Sequence, residues 1–155
     1  MTEFVFGPYR LSADVEATRS YYAAHHESWI TCECAGCRNF VKAVKGLPKE
    51  VRTFFDVLGL DPEKAGELCY YNGTENTIIG DCWYHLVGAV LEGSSEPGDH
   101  QAFPAGWHEL AEGFSVGFKT ACDLLPDDFP HPCFQMEFHY CLPWVLEEPN
   151  PYIYE

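Results

Sequence analysis

The chain has 155 residues, of which 46% are hydrophobic and 15% aromatic, so it can build one hydrophobic core without cross-links such as disulfides or metal ions. Twenty-four acidic residues against nine Lys and Arg give a formal net charge of −15. Such a surface repels phosphate backbones and anionic lipids, which argues against direct binding to nucleic acid or to a membrane. It is compatible with a basic protein partner.

The N-terminal segment and the cysteine content together predict a compartment. Residues 1–11 lack the basic region and the long apolar region of a signal peptide. No apolar run approaches the length of a membrane span. We therefore expect a cytoplasmic protein, in which the eight cysteines are free thiols, metal ligands or redox groups rather than four disulfides.

The N-terminal part of the chain predicts a strand followed by helices. Residues 3–13 mix aromatic and branched side chains around a Gly-Pro pair, which indicates an edge strand or the start of a hairpin. Asp14 is a plausible N-cap for the first helix. Helices are predicted over residues 14–26, 37–46 and 48–59.

From residue 67 onward the pattern predicts strands. They are expected over residues 67–72, 77–92, 114–122 and 133–146. A long loop, residues 93–113, separates the second from the third. The last strand alternates, so that Phe134, Met136, Phe138, Tyr140 and Leu142 share one face. The opposite face carries the polar and thiol side chains and is expected to be wetter.

The order of these elements predicts an α+β fold. We expect an antiparallel sheet of four to five strands, with two to three helices from the N-terminal half packed on one face. The chain is expected to form a single domain over residues 1–155. Its helical and cysteine-cluster part covers about 12–60, and its sheet part covers about 67–146.

Three cysteines, Cys32, Cys34 and Cys37, lie within six residues in a C-x-C-x2-C pattern. Zinc takes about four ligands in a tetrahedron, and thiolates are among those it prefers. Gly36 lets the backbone turn under the ion, and Cys37 opens the next predicted helix, where amide groups stabilise a thiolate. The pattern therefore predicts a structural zinc site. An iron–sulfur cluster, a redox-active Cys34–Cys37 pair, another thiophilic metal and inert thiols remain alternatives.

The fourth ligand is not evident from spacing. His85 lies within an apolar strand and would tie the helical layer to the sheet, so we take it as the expected ligand. The other possible ligands are His25, His26, Cys69, Cys82, Cys122 and Cys141. An open fourth position holding water would instead indicate a catalytic metal.

Two further groups of residues are weaker candidates. Glu137, His139 and Cys141 share one face of the last strand, where they could form a second metal face or a Cys/His nucleophile pair. The simpler interpretation is the exposed side of an edge strand. The long loop also carries residues that could line a pocket, namely His100, Trp107, His108 and Glu109.

Several stretches together resemble a family of uncharacterised small acidic bacterial proteins. They are FGPYRL, CECAGCRNF, LPKEVRTFFDVLGLDPEKAGELCYYN, WYHLVG, EGFSVGF and LPWVLEEP. The most specific motif is Cys32-x-Cys34-x2-Cys37-Arg38-Asn39-Phe40. The resemblance covers nearly the whole chain and implies a single domain of the bacterial cytoplasm with a joint role for the three cysteines. It brings no activity and no catalytic residue with it.

These observations favour one function and leave an alternative from another class. The expected protein is a zinc-stabilised domain that binds another protein without catalysis, because the thiol cluster and the acidity are not accompanied by a catalytic motif. The alternative is an enzyme, either a metal-dependent hydrolase or a thiol redox protein, that uses the same three cysteines.

Overall fold

The computed structural model describes residues 1–25, 30–93 and 106–154. In these ranges the chain forms seven strands of one antiparallel sheet and three α-helices. The strands are β1 (Thr2–Phe6), β2 (Tyr9–Ala13), β3 (Leu68–Gly73), β4 (Thr77–Glu92), β5 (His108–Ala111), β6 (Phe114–Lys119) and β7 (Cys133–Pro143). The helices are α1 (Val15–Ala24), α2 (Ala35–Ala43), which continues into a 3-10 turn (Val44–Gly46), and α3 (Lys49–Val57). None of these helices has the length and hydropathy needed to cross a bilayer.

The α+β class and the antiparallel sheet are confirmed, but the predicted count of four to five strands was wrong. Of the two alternatives for residues 3–13, the structure has the hairpin, with strands β1 and β2, because the chain reverses at Gly7, whose φ of +58° suits glycine. A short additional strand, β5, lies inside the segment predicted as a loop. Residues 94–105 of that predicted loop, including His100, lie outside the described residues.

The long strand β4 is the centre of the sheet, whose strand order is β1-β2-β4-β7-β6-β5. One edge of β4 pairs with β7 without interruption from Thr77 to Val87. The other edge is shared, because β3 pairs with residues 78–82 and β2 with residues 88–92. Between these two partners, residues 83–87 of β4 have no strand on this edge.

Helix α1 fills that gap with side-chain hydroxyls. The Tyr22 hydroxyl accepts a hydrogen bond from the His85 amide at 2.9 Å and donates one to the His85 carbonyl at 2.9 Å. The Thr18 hydroxyl accepts from the Val87 amide at 3.0 Å. Buried backbone groups need partners, and here two helical side chains supply those that a strand would otherwise provide.

One face of the sheet carries the main aromatic core. The ring of Phe55 in α3 packs edge-on against Tyr84 and Phe138, with centroid distances of 5.0 and 5.1 Å. Phe40 in α2 packs against Tyr140 at 5.5 Å. The even-numbered residues of β7, predicted to share a face, are all at most 1% exposed. Because α2 packs against this face, its first turn lies close to β3 and to the C-terminal end of β7.

The other face is more polar and is covered only in part. A small apolar cluster of Tyr21, Val87 and Phe129 lies under the segment that connects β6 to β7. Beside it, Lys119 forms ion pairs with Asp123 at 2.8 Å and with Glu137 at 3.2 Å. Charged side chains of neighbouring strands on this face therefore neutralise one another through ion pairs.

Candidate metal centre at the start of helix α2

The sulfur atoms of Cys32, Cys34 and Cys37 meet where the chain enters α2. All three lie within 4.8 Å of one another. Cys34 is the N-cap of α2, and Cys37 follows in the first turn of the helix. Tetrahedral zinc places thiolate sulfurs about 3.8 Å apart. Because the three sulfurs lie close to this spacing and Cys32 and Cys34 are exposed, this group could hold a thiophilic metal ion.

The surroundings at the helix terminus shift the pKa values of Cys34 and Cys37 in opposite directions. Burial alone would raise the pKa of Cys34, but hydrogen bonds from the Cys37 amide, the neighbouring thiols and the Tyr152 hydroxyl lower it to about 7. Burial raises the pKa of Cys37 to about 12, against an opposing hydrogen bond from Tyr70. The readily ionised thiol is therefore Cys34 at the N-cap rather than Cys37, because the helix begins at Ala35, two residues before its predicted start.

Two tyrosines that the sequence did not indicate complete the surroundings of the cluster. Tyr70 of β3 donates a hydrogen bond to the Cys37 sulfur at 3.1 Å. Tyr152, from the C-terminal segment, accepts one from the Gly36 amide at 3.2 Å, and its ring lies 4.9 Å from that of Tyr70. No local pattern could reveal these contacts, because they join residues 33 and 116 positions apart.

Gly36 has a different role from the one the sequence suggested. It lies inside α2 rather than in a turn under the ion. A Cβ atom at this position would lie 2.5 Å from the ring of Tyr70. The absence of a side chain therefore allows Tyr70 to pack against the helix backbone and to reach Cys37.

The residues that follow Cys37 attach the cluster to the sheet. Asn39 is fully buried, and its side-chain amide donates to the Pro143 carbonyl at 3.1 Å and accepts from the Val145 amide at 2.7 Å. Arg38 pairs with Glu148 at 2.5 Å. Together with Phe40 in the core, these contacts give the Arg-Asn-Phe part of the motif a structural role, since they anchor α2 to the end of β7.

The structure does not bring His85 to the three cysteines. Its side chain is 1% exposed and lies on the opposite face of the sheet from the helix-covered core, near Phe129. The Nε2 atom lies 3.1 Å from the Gln135 side-chain oxygen, while Nδ1 has no hydrogen-bond partner among the described residues. Burial lowers the pKa of this imidazole, against the opposing hydrogen bond from Gln135. The alternation of β4 explains this position, because residue 85 is odd and the core-facing residues are even.

The remaining candidates for a fourth ligand are also engaged elsewhere or undescribed. The His25 ring lies 2.7 Å from the Tyr21 carbonyl through Nδ1 and 3.2 Å from Asp128 through Nε2. Cys82 is buried in the main core. Across residues 1–25, 30–93 and 106–154, no fourth His, Cys, Asp or Glu joins the group. His26 lies outside these ranges.

An open cleft borders the cluster. Its volume is about 400 Å³. The residues that line it are mainly apolar or belong to the cysteine motif, namely Ile30, Thr31, Cys32, Glu33, Cys37, Arg38, Val41, Lys42 and Leu146. The sulfur of Cys32 is therefore accessible to a small molecule or a coordinating group from outside the cluster.

The polar face of β7 holds a histidine–carboxylate pair rather than a Cys/His pair. β7 lies between β4 and β6, so it is not the edge strand that the sequence suggested. The His139 Nδ1 atom lies 2.5 Å from an Asp81 oxygen, and the Tyr71 hydroxyl donates to the other oxygen at 2.7 Å. The hydrogen bond to Asp81 raises the pKa of His139.

Comparison of the chain with protein-family models, with curated proteins and with solved structures gives no match. The function is therefore inferred from the geometry and chemistry of the chain's own residues. The thiol cluster is the one group of His, Cys, Asp and Glu in the described ranges whose ligand atoms converge in this way.

Proposed function

We propose that the protein is a cytoplasmic zinc-holding domain that binds another protein without catalysis. In this proposal Cys32, Cys34 and Cys37 hold one Zn²⁺ ion. The observation that supports it most directly is the convergence of three sulfur atoms within 4.8 Å at a helix N-terminus. A water molecule or an outside group takes the fourth position, because the described residues offer no other ligand there.

The electrostatics of the cluster favour a cation. Three thiolates at these separations repel one another strongly unless a positive charge lies between them. The N-terminal amides of α2 stabilise only part of that negative charge. A divalent thiophilic ion would neutralise it and would favour the ionised form of Cys37, which burial disfavours in the metal-free protein.

The ion would stabilise a local segment rather than create the fold. The main core already buries residues from all three helices and from four of the seven strands without contribution from Cys32 or Cys34. Zinc would link residues 30–34 to α2 and, through Tyr70 and Tyr152, to β3 and the C-terminal segment. We therefore expect the metal-free protein to remain folded, with a lower melting temperature.

The proposed partner is a basic protein, as suggested by the charge distribution. At least six of the nine basic residues are already in ion pairs with neighbouring carboxylates, namely Arg10, Arg19, Arg38, Lys45, Lys64 and Lys119. The large excess of carboxylates remains to interact with positive charge. Such a complex should weaken as salt is added, because salt screens interactions between exposed charges.

Zinc titration with thermal denaturation tests the metal site. We expect one zinc ion per chain and, at free zinc about 100 times its Kd, a melting temperature about 5–10 °C higher. Cys32→Ser, Cys34→Ser and Cys37→Ser should each remove most of this gain. Cys69→Ser is the matched control, because Cys69 is a half-buried thiol outside the cluster, and it should leave the gain intact.

A protein that binds no zinc, and whose three thiols react with a reagent as readily with zinc as without it, would exclude the metal site. The circular dichroism spectrum of each variant shows whether lost binding reflects lost ligands or lost folding. Metal analysis of the purified wild-type protein identifies the ion, since thiolate ligands alone do not distinguish zinc from other soft metals.

A thiol redox function is the second candidate, and one specific arrangement favours it. Cys34 is exposed at the N-cap and Cys37 is buried one turn later, so an accessible thiol precedes a protected one. In the metal-free protein, the alkylation rate of Cys34 should rise through about pH 7, far below the corresponding pH for Cys37.

Cys32→Ser separates the two candidates. It removes one of three zinc ligands, whereas it leaves the Cys34–Cys37 pair intact. A zinc domain should lose metal affinity in this variant, and a dithiol redox protein should still form a Cys34–Cys37 disulfide in a glutathione redox buffer. Loss of zinc binding without formation of that disulfide would support the metal site alone.

A further inference from the structure

A second pair of thiols lies near the start of β7, whereas the thiol cluster belongs to the helix that is anchored at the end of that strand. The sulfur atoms of Cys122 and Cys133 are 3.9 Å apart. Cys133 is the first residue of β7, and Cys122 lies just after β6, so the pair closes the base of the segment that connects these two strands. Cys69, Cys82 and Cys141 show no comparable sulfur neighbour within the described part of the chain.

The surroundings of the pair distinguish an attacking thiol from a resolving one. His131 is exposed, and its Nδ1 atom lies 3.6 Å from the Cys133 sulfur, where it can accept the thiol proton. Burial raises the pKa of Cys133 against an opposing hydrogen bond from Cys122. Burial, reinforced by the nearby Cys133 thiol, raises the pKa of Cys122 to about 12. Cys133 with its adjacent base is therefore the better nucleophile.

We propose that Cys122 and Cys133 form a reversible disulfide site that reacts with a low-molecular-weight disulfide such as oxidised glutathione. This site is independent of the metal centre. A disulfide requires the sulfurs to move from 3.9 Å to bonding distance, and Cys122 lies in the loop after β6, where its side chain is half-buried rather than fixed in the core.

The reaction proceeds in two exchange steps. The Cys133 thiol gives its proton to His131, and the thiolate attacks one sulfur of oxidised glutathione, whose S–S bond breaks and releases one glutathione thiolate. Cys122 then loses its proton to water and attacks the Cys133 sulfur, which releases the second glutathione. Two protein thiols are oxidised to one disulfide, and one glutathione disulfide is reduced to two glutathione thiols.

The disulfide would constrain the segment between β6 and β7, which packs on the polar face of the sheet. Phe129 in this segment covers the small apolar cluster, and the Asp123 amide donates to the Gln135 side-chain oxygen at 2.7 Å. Gln135 also contacts His85. A covalent link at the base of the segment removes conformations from the unfolded chain, so the oxidised protein should melt about 5–10 °C higher than the reduced protein.

Peptide mapping after incubation with oxidised glutathione tests the site. Free thiols are alkylated at low pH, the protein is digested without reduction, and the linked peptides are identified by mass. We expect a fragment that joins Cys122 to Cys133 and weighs two hydrogens less than the two separate peptides. The yield should rise with pH as more of the Cys133 thiol is ionised.

Three serine variants make the assignment specific. Cys122→Ser should stop the reaction at a Cys133–glutathione mixed disulfide, whereas Cys133→Ser should leave Cys122 unmodified. Cys141→Ser is the matched control, since Cys141 is a half-buried thiol on the same strand, and it should leave the linked fragment unchanged. Wild-type protein in which Cys122 and Cys133 remain alkylated, or in which either pairs with another cysteine, would overturn the proposal. Either result leaves the zinc titration of the other cluster unaffected.

Discussion

The two faces of the central sheet stabilise the protein in different ways. On the face covered by α2 and α3, aromatic rings pack directly against each other, as Phe55 does against Tyr84 and Phe138. On the opposite face, side chains pair through hydrogen bonds and charges, as His139 does with Asp81. The same strands supply both faces, so each strand has one row of residues governed by packing and one governed by polar pairing.

This difference indicates where substitutions should be costly and where function can be placed. Closely packed apolar groups lose both transfer free energy and packing when truncated. Exposed polar pairs contribute little to stability, because water competes for the same interactions. Both thiol sites lie at the margins of this core, at the start of α2 and at the base of the segment before β7, where reagents can reach them.

The largest expected effect is at the covered face. Phe138→Ala should lower the free energy of unfolding by about 3–5 kcal/mol, because the ring is fully buried and packs against Phe55. Chemical denaturation measures the loss. The neighbouring change Glu137→Ala, on the polar face, should cost about 1–2 kcal/mol, because Lys119 keeps its second ion pair, with Asp123. Equal losses for the two variants would contradict the distinction between the faces.

The gap in the sheet beside β4 should give the next largest effect. Tyr22→Phe removes the hydroxyl that bonds both the amide and the carbonyl of His85, and it leaves both groups buried without that partner. We expect a loss of about 2–4 kcal/mol. Tyr21→Phe is the matched control, because the Tyr21 hydroxyl bonds the exposed carboxylate of Asp128. A Tyr22→Phe protein as stable as the control would show that water replaces the hydroxyl.

A smaller effect is expected where α2 meets Tyr70. Gly36→Ala would favour the helix by about 1 kcal/mol, but the added Cβ would lie 2.5 Å from the Tyr70 ring and would push it away from Cys37. We expect a net loss of about 1 kcal/mol and a faster reaction of Cys37 with thiol reagents. Gly46→Ala, where nothing lies within 4 Å, should be neutral. Unchanged reactivity of Cys37 would indicate that Tyr70 does not protect it.

The parts of this structure that the sequence could predict are those with local patterns. The alternation in β7 correctly predicted that its even-numbered residues share a buried face, although Gln135 on the other face is buried as well, and the C-x-C-x2-C spacing correctly indicated that three sulfurs would meet. The contacts around those sulfurs could not be predicted, because Tyr70 and Tyr152 come from distant parts of the chain. His85 illustrates the same limit. Residues 84–88 of β4 are buried at odd and even positions alike, so the apolar run around His85 did not show to which face of the sheet its side chain points.

The smallest expected effect on stability is at the polar pair of Asp81 and His139. The hydrogen bond to Asp81 raises the pKa of His139, so Asp81→Asn should lower that pKa, as an NMR titration of the ring protons would show. A raised pKa means that the pair stabilises the protein at low pH, where the ring is charged in both states, and that this contribution disappears as pH rises through the pKa of the folded protein.

The difference in stability between wild type and Asp81→Asn should therefore be greater at about pH 5 than at about pH 8. Its size should stay at about 1 kcal/mol or less, because the His139 side chain is 39% exposed and solvent screens the charge. Tyr71→Phe, which removes only the hydroxyl that holds the other Asp81 oxygen, should leave most of the pKa shift in place. An Asp81→Asn protein whose His139 titrates as in the wild type would show that the carboxylate does not control this ring, and the polar face would then be held by hydrogen-bond geometry rather than by charge.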